Sequence, residues 1–268
     1  MDPLLITVLL CILLGAVVGL MAGLLGIGGG LIIVPTLLLI LENVLNIEIE
    51  HGMPIALATS LFTVIFTGLS STRSHYKLGN IVPSIVLLCA AGIAIGSVAG
   101  AFFATSVSGV MLQRIFAVLV ILIAAQMIFF TPKISNAPLN KVSLSCIGLG
   151  SGFIAALMGI GGGALIVPSL VWFQVNIKKA IGCASFCGVI IALFGSIGFI
   201  TSGYNKNYLP AYSFGYVYLP AAFGIVLTSV FTAPIGAKLT RKFDTAKLKR
   251  VFAGFLVLVS IRMIIGLE

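Results

Sequence analysis

Acidic side chains are almost missing from this chain. Its 268 residues hold six, Asp2, Glu42, Glu48, Glu50, Asp244 and Glu268, against fifteen Lys and Arg. None of the six falls inside a long apolar run, which disfavours a carboxylate proton relay and a cation site built on an anionic partner. Charge of either sign is scarce, at 8% of residues, where a soluble domain carries roughly a quarter. So few charged groups cannot cover the surface of a 27.9 kDa globule, and a soluble fold is excluded. The five cysteines, at positions 11, 89, 146, 183 and 187, form no C-x-x-C pair and have no histidine at ligand spacing. That excludes a disulfide framework and a zinc site, and no metal or cofactor is expected.

What is present is apolar sequence: 60% hydrophobic residues and a mean hydropathy of +1.26. The expected fold class is an all-α polytopic membrane protein. Apolar stretches run over 4–25, 31–41, 54–71, 81–104 and 112–130, then over 142–158, 164–175, 180–201, 213–237 and 251–267. This divides the chain into a first repeat, 1–130, a polar linker, 131–141, and a second repeat, 142–268. The second stretch of each half is long enough for about half of a hydrocarbon core ~30 Å thick, and is expected as a half-helix or a short buried span. The N-terminal stretch has no basic flank and no evident cleavage site, and reads as a retained membrane segment. Lys and Arg sort by loop. With the cluster from Lys238 to Arg250 placed in the cytoplasm, Lys178, Lys179, Lys133, Lys141, Arg73 and Lys77 fall on the same side. Both termini then lie outside, and the second half enters the membrane inverted relative to the first. The basic excess is a topology signal and implies no nucleic-acid partner.

The halves also echo each other in sequence. GLLGIGGGLIIVPTL at 23–37 matches ALMGIGGGALIVPSL at 156–170 in ten of fifteen positions. Arg114-Ile115-Phe116-Ala117 returns as Arg250-Val251-Phe252-Ala253, and Ala58-Thr59-Ser60 as Cys183-Ala184-Ser185. Two inverted repeats of about five segments each are characteristic of secondary transporters, whose substrate site lies between the halves.

A glycine run between two apolar segments breaks the helix, and the next helix then starts with unpaired N–H groups and the positive end of its dipole. Gly28, Gly29, Gly30, Gly161, Gly162 and Gly163 are therefore candidate backbone ligands for a small anion. The competing reading is close helix packing through small residues. Thr59, Ser60 and Ser185 are candidate neutral donors, with hydrogen bonding to their own helix as the alternative. Thr63, Thr67, Ser70 and Ser71 extend that polar stripe. Arg262 and its repeat mate Gln126 are candidates for substrate contact or gating, or for anchoring at the interface. Arg73, His75 and Lys77 stand at the entrance to the same stripe. Five tyrosines from Tyr204 to Tyr218 read as an interfacial belt.

The doubled GIGGG-x-x-I-V-P block, followed by a Thr-Ser or Ala-Ser pair, resembles the sulfite exporter TauE/SafE family over nearly the whole chain. The resemblance implies a permease of a prokaryotic cytoplasmic membrane that carries a small sulfur-containing anion such as sulfite or an organosulfonate. A permease for another small anion, such as a carboxylate, shares the same binding physics. An intramembrane enzyme would have to be built from Cys183, Cys187 and His75, whose spacing assembles no triad, so no catalysis is expected.

Overall fold

The computed structural model describes residues 2–25, 29–129, 140–239 and 245–265. Among them the helices are α1 (Pro3–Leu25), α2 (Gly30–Leu45), α3 (Ile49–Lys77), α4 (Pro83–Ser106), α5 (Gly109–Phe129), α6 (Lys141–Leu157), α7 (Gly163–Trp172), α8 (Ile177–Gly203), α9 (Leu219–Leu239) and α10 (Thr245–Ile265). Each expected stretch overlaps one helix, and α1, α3, α4, α5, α8 and α9 are long and apolar enough to cross a membrane. The chain is an all-α polytopic membrane protein. Gly28, residue 130, the linker residues 131–139 and the basic residues Arg241 and Lys242 lie outside the described residues.

The ten-residue α7 spans about 15 Å, half a hydrocarbon core, and the sixteen-residue α2 is a short, largely buried span of about 24 Å. The ninth stretch does not begin as helix at Ser213. Instead β1 (Ser213–Phe214) and β2 (Val217–Tyr218) pair as an antiparallel hairpin, turned by Gly215 at φ 55°. The connection between α8 and α9 therefore folds over the bundle. Tyr204 and Tyr212 are exposed as a belt requires, but Tyr216 and Tyr218 are buried within the protein.

Packing follows the sequence echo. The most extensive contacts are those of α1 with α9 and of α6 with α4; α3 lies against α8, and α5 against α10. Exchanging the halves maps this pattern onto itself. Glycine makes the approach possible: a Cβ at Gly96 would stand 2.2 Å from the Leu149 carbonyl oxygen, and one at Gly19 would stand 2.5 Å from that of Ser229. Helices this close gain dispersion contacts that lipid cannot supply, which favours association in a bilayer.

Candidate functional site

The glycine blocks break the chain where expected. Gly29 caps α2 at φ 73°, ψ −19°, and Gly162 caps α7 at φ 72°, ψ −9°. Both sit in the left-handed region, where a side chain is strained, so the repeat in sequence is a repeat in backbone conformation. Leu165 and Ile166 donate to the Gly162 carbonyl at 3.0 and 2.8 Å. The N–H groups of Gly163 and Ala164, ahead of them, have no carbonyl one turn earlier to bond.

The two blocks meet. A Cβ at Gly30 would stand 2.3 Å from the Gly159 carbonyl oxygen, so the start of α2 rests on the second block. The second block is itself wedged between α3 and α8. A Cβ at Gly161 would meet Val64 Cγ1 at 2.9 Å, and one at Gly188 would meet the Gly161 carbonyl oxygen at 2.2 Å.

Beside this wedge lies a cavity of about 130 Å³. Gly161 and Gly163 form part of its wall, with Gly68 and Gly188 from the flanking helices. One face of α3 supplies Thr67, Ser70, Ser71, Ser74 and His75; α8 supplies Ser185, while Gly23 of α1 and Pro234 of α9 complete the wall. Among the described residues the lining contains hydroxyls, glycine backbone, one imidazole and several small apolar side chains, and no carboxylate. Ser185 Oγ donates to the Ile181 carbonyl at 3.0 Å and lies 3.3 Å from Ser71 Oγ, joining the hydroxyls of the two helices.

The other sequence candidates are placed elsewhere. Gly29 and Gly30 are buried, Gly29 against Val18 of α1 and Gly30 against the second block, without lining the cavity. Gly162 is the buried cap of α7. Ser60 Oγ donates to the Gly159 carbonyl at 2.7 Å, which holds the second block in place. Thr59 Oγ1 accepts the Tyr218 N–H at 3.0 Å and so ties the hairpin to α3. Neither lines the cavity. Arg262 is exposed in a separate groove with Glu42 and Gln113, near the beginning of α3 rather than its end. Gln126 is half-buried and lines neither space. Gly23, Gly68, Gly188 and Pro234 were not singled out from sequence, because a small residue that makes room leaves no chemical signature; only Gly23 belongs to a repeated block.

A polytopic helical bundle with two matched chain breaks and a hydroxyl-bearing cavity beside one of them has the form of a membrane transporter. Comparison with known proteins agrees: the chain belongs to the sulfite exporter TauE/SafE family, whose model matches residues 11–263. It is 41% identical over 258 residues to a probable membrane transporter protein of Haemophilus influenzae, covering 96% of this chain and 97% of that one. A probable membrane transporter protein of Methanocaldococcus jannaschii is 26% identical, covering 96% of this chain and 95% of the other. The probable membrane transporter protein YunE of Bacillus subtilis is 27% identical, with coverages of 94% and 96%. No solved structure matches the chain.

Proposed function

We propose that this protein is a secondary carrier or facilitator for a small sulfur-containing anion, sulfite or an organosulfonate, and not an enzyme. The observation that carries the reading is the cavity beside Gly161 and Gly163. Hydroxyls and the N-terminal end of α7 offer donors to an oxyanion, and among the described residues no carboxylate lines the space to repel it. Neutral donors suit a carrier, because they avoid keeping a fixed charge within the membrane. In this reading Gly161, Gly163 and Ser185 contact the anion, Gly29, Gly30 and Gly162 shape the breaks, Ser60 positions the second block, and Thr59 secures the hairpin. The halves are inverted repeats, 1–130 and 142–268, in a prokaryotic cytoplasmic membrane with both termini outside. His75 and the nearby Arg73 and Lys77 mark the cytoplasmic mouth, where basic groups raise the local anion concentration.

The test is the unfolding temperature of the purified protein across sulfite, sulfate, thiosulfate, sulfoacetate, taurine, acetate and chloride at constant ionic strength. A ligand that binds only the folded state stabilises it by mass action. A saturable rise confined to sulfur anions, followed by their flux into liposomes, is expected. A rise with acetate alone would move the assignment to carboxylates, and no rise with any of them would overturn it.

A further inference from the structure

The cavity is lined by both halves, and exchanging the halves gives it a counterpart that is closed. Continuing the Thr59-Ser60 and Ala184-Ser185 echo through the uninterrupted helices α3 and α8 brings Ser71 onto Ser196, Ser74 onto Phe199 and His75 onto Ile200. The glycine-block echo brings Gly23 onto Ala156, and the echo in the last segments brings Ala233 onto Ser97. The first member of every pair lines the cavity.

Of the second members, all but Ile200 are buried. Ser97 and Ser196 are 0% and 2% exposed, and Ala156 and Phe199 are fully buried. A Cβ at Gly195 would meet Leu61 Cδ1 at 2.9 Å, and one at Gly198 would meet Ala101 Cβ at 2.7 Å, so α8 is pressed against α3 and α4. Inside this tight packing the hydroxyls of Ser97 and Ser196 have no hydrogen-bond partner among the described residues. Most helical serines avoid that cost by donating one turn back, as Ser185 does. A buried hydroxyl without a partner calls for an explanation, and satisfaction in a second conformation is one.

What closes the counterpart is an element that the first half lacks. α3 and α4 are joined by residues 78–82, whereas 204–218 join α8 to α9 and carry the hairpin. Gly215 lies directly on Ile200: a Cβ there would stand 2.4 Å from the Ile200 carbonyl oxygen. The Tyr216 ring meets Phe199 edge-on, with centroids 6.4 Å apart at 82°, and the Tyr218 N–H is held by Thr59. The positions equivalent to the open mouth, Ser74 and His75, are thus the two that the hairpin covers.

We propose that Ser97 and Ser196 belong to a second anion vestibule between α3, α4, α6 and α8, shut in this structure by Phe199 and the 213–218 hairpin. It opens at the hairpin end when the cavity beside Gly161 closes, and it receives the same small oxyanion. The proposal rests on the carrier reading, and its test separates the two.

Cys146, the exposed native cysteine, is replaced by serine, and Ser71→Cys or Ser196→Cys is introduced singly. Sealed vesicles of each orientation are treated with a membrane-impermeant maleimide, with the Cys146→Ser parent as background. Ser71→Cys is expected to label from one face and Ser196→Cys from the opposite face. Tyr216→Ala is expected to speed labelling at 196 by about tenfold, because the ring contact that holds the seal is gone. Ser97→Cys, on a different helix, provides a second reporter if Ser196→Cys fails to fold. Labelling of both 196 and 97 from the same face as 71 overturns the proposal. So does inertness of both with Tyr216→Ala present. Opposite-face labelling that sulfite and organosulfonates leave unchanged upholds the vestibule and overturns the sulfur-anion assignment instead.

Discussion

Replacing Gly188 with alanine tests the candidate site at its narrowest point. The added Cβ would stand 2.2 Å from the Gly161 carbonyl oxygen and 3.1 Å from its carbonyl carbon. Carbon and oxygen in ordinary contact stay at or beyond about 3.2 Å, so α8 and the second glycine block must separate by about 1 Å. The block cannot simply retreat, because Val64 holds its other side. Overpacking of this kind costs about 1–3 kcal/mol. If the shift falls on the backbone that receives the anion, binding weakens by about 5- to 150-fold. The assay is the anion-dependent rise in unfolding temperature, fitted for apparent affinity in the variant and in two controls. Gly150 and Gly254 have nothing within 4 Å of an added Cβ, so Gly150→Ala and Gly254→Ala are expected to bind as the native protein does. Native affinity in Gly188→Ala would refute the placement of the anion beside Gly161.

Thr59→Val keeps the shape of a buried side chain but removes the acceptor of the Tyr218 N–H. A loss of about 1–3 kcal/mol is expected, read as a lower unfolding temperature without ligand. Gly162→Ala forces a side chain into φ 72° and against Ile191 Cδ1, 2.3 Å away. The left-handed conformation alone costs about 1–2 kcal/mol, so this variant should melt below Gly150→Ala, whose site is open. Burial and the Tyr208 hydroxyl, 2.6 Å away, raise the pKa of Tyr216 above the ordinary tyrosine value. The folded pKa then exceeds the unfolded one, so this contribution is complete below about pH 10 and is lost as pH rises beyond it. Unfolding temperature measured from pH 8 to 11 should fall at the alkaline end, and should fall less in Tyr216→Phe.

The order of helices was open to sequence because it depends on local quantities. Apolar length sets where a helix can span, and glycine runs set where it stops. Gly29 and Gly162 were therefore legible as breaks, and the duplicated blocks as equivalent parts of two halves. The polar stripe from Thr67 to Ser71 was also legible, since hydroxyls repeated along one apolar helix stand out against their surroundings.

Tertiary structure decided which of these groups face a space and which are used to hold the protein together. Thr59, Ser60 and Ser185 belong to the same echo, yet the first secures the hairpin, the second secures the Gly159 carbonyl, and the third lines the cavity. A hydroxyl bonds whatever packing brings within reach, and its own sequence neighbourhood does not name that partner. The hairpin was hidden for a related reason: Ser213–Tyr218 runs into the apolar helix without a charged residue, and its turn lies against a surface at Phe199 and Ile200. Composition and repetition determined a duplicated helical membrane protein. Long-range packing decided that a cavity opens between the halves while most residues equivalent to its wall are buried, because equivalent residues meet different neighbours.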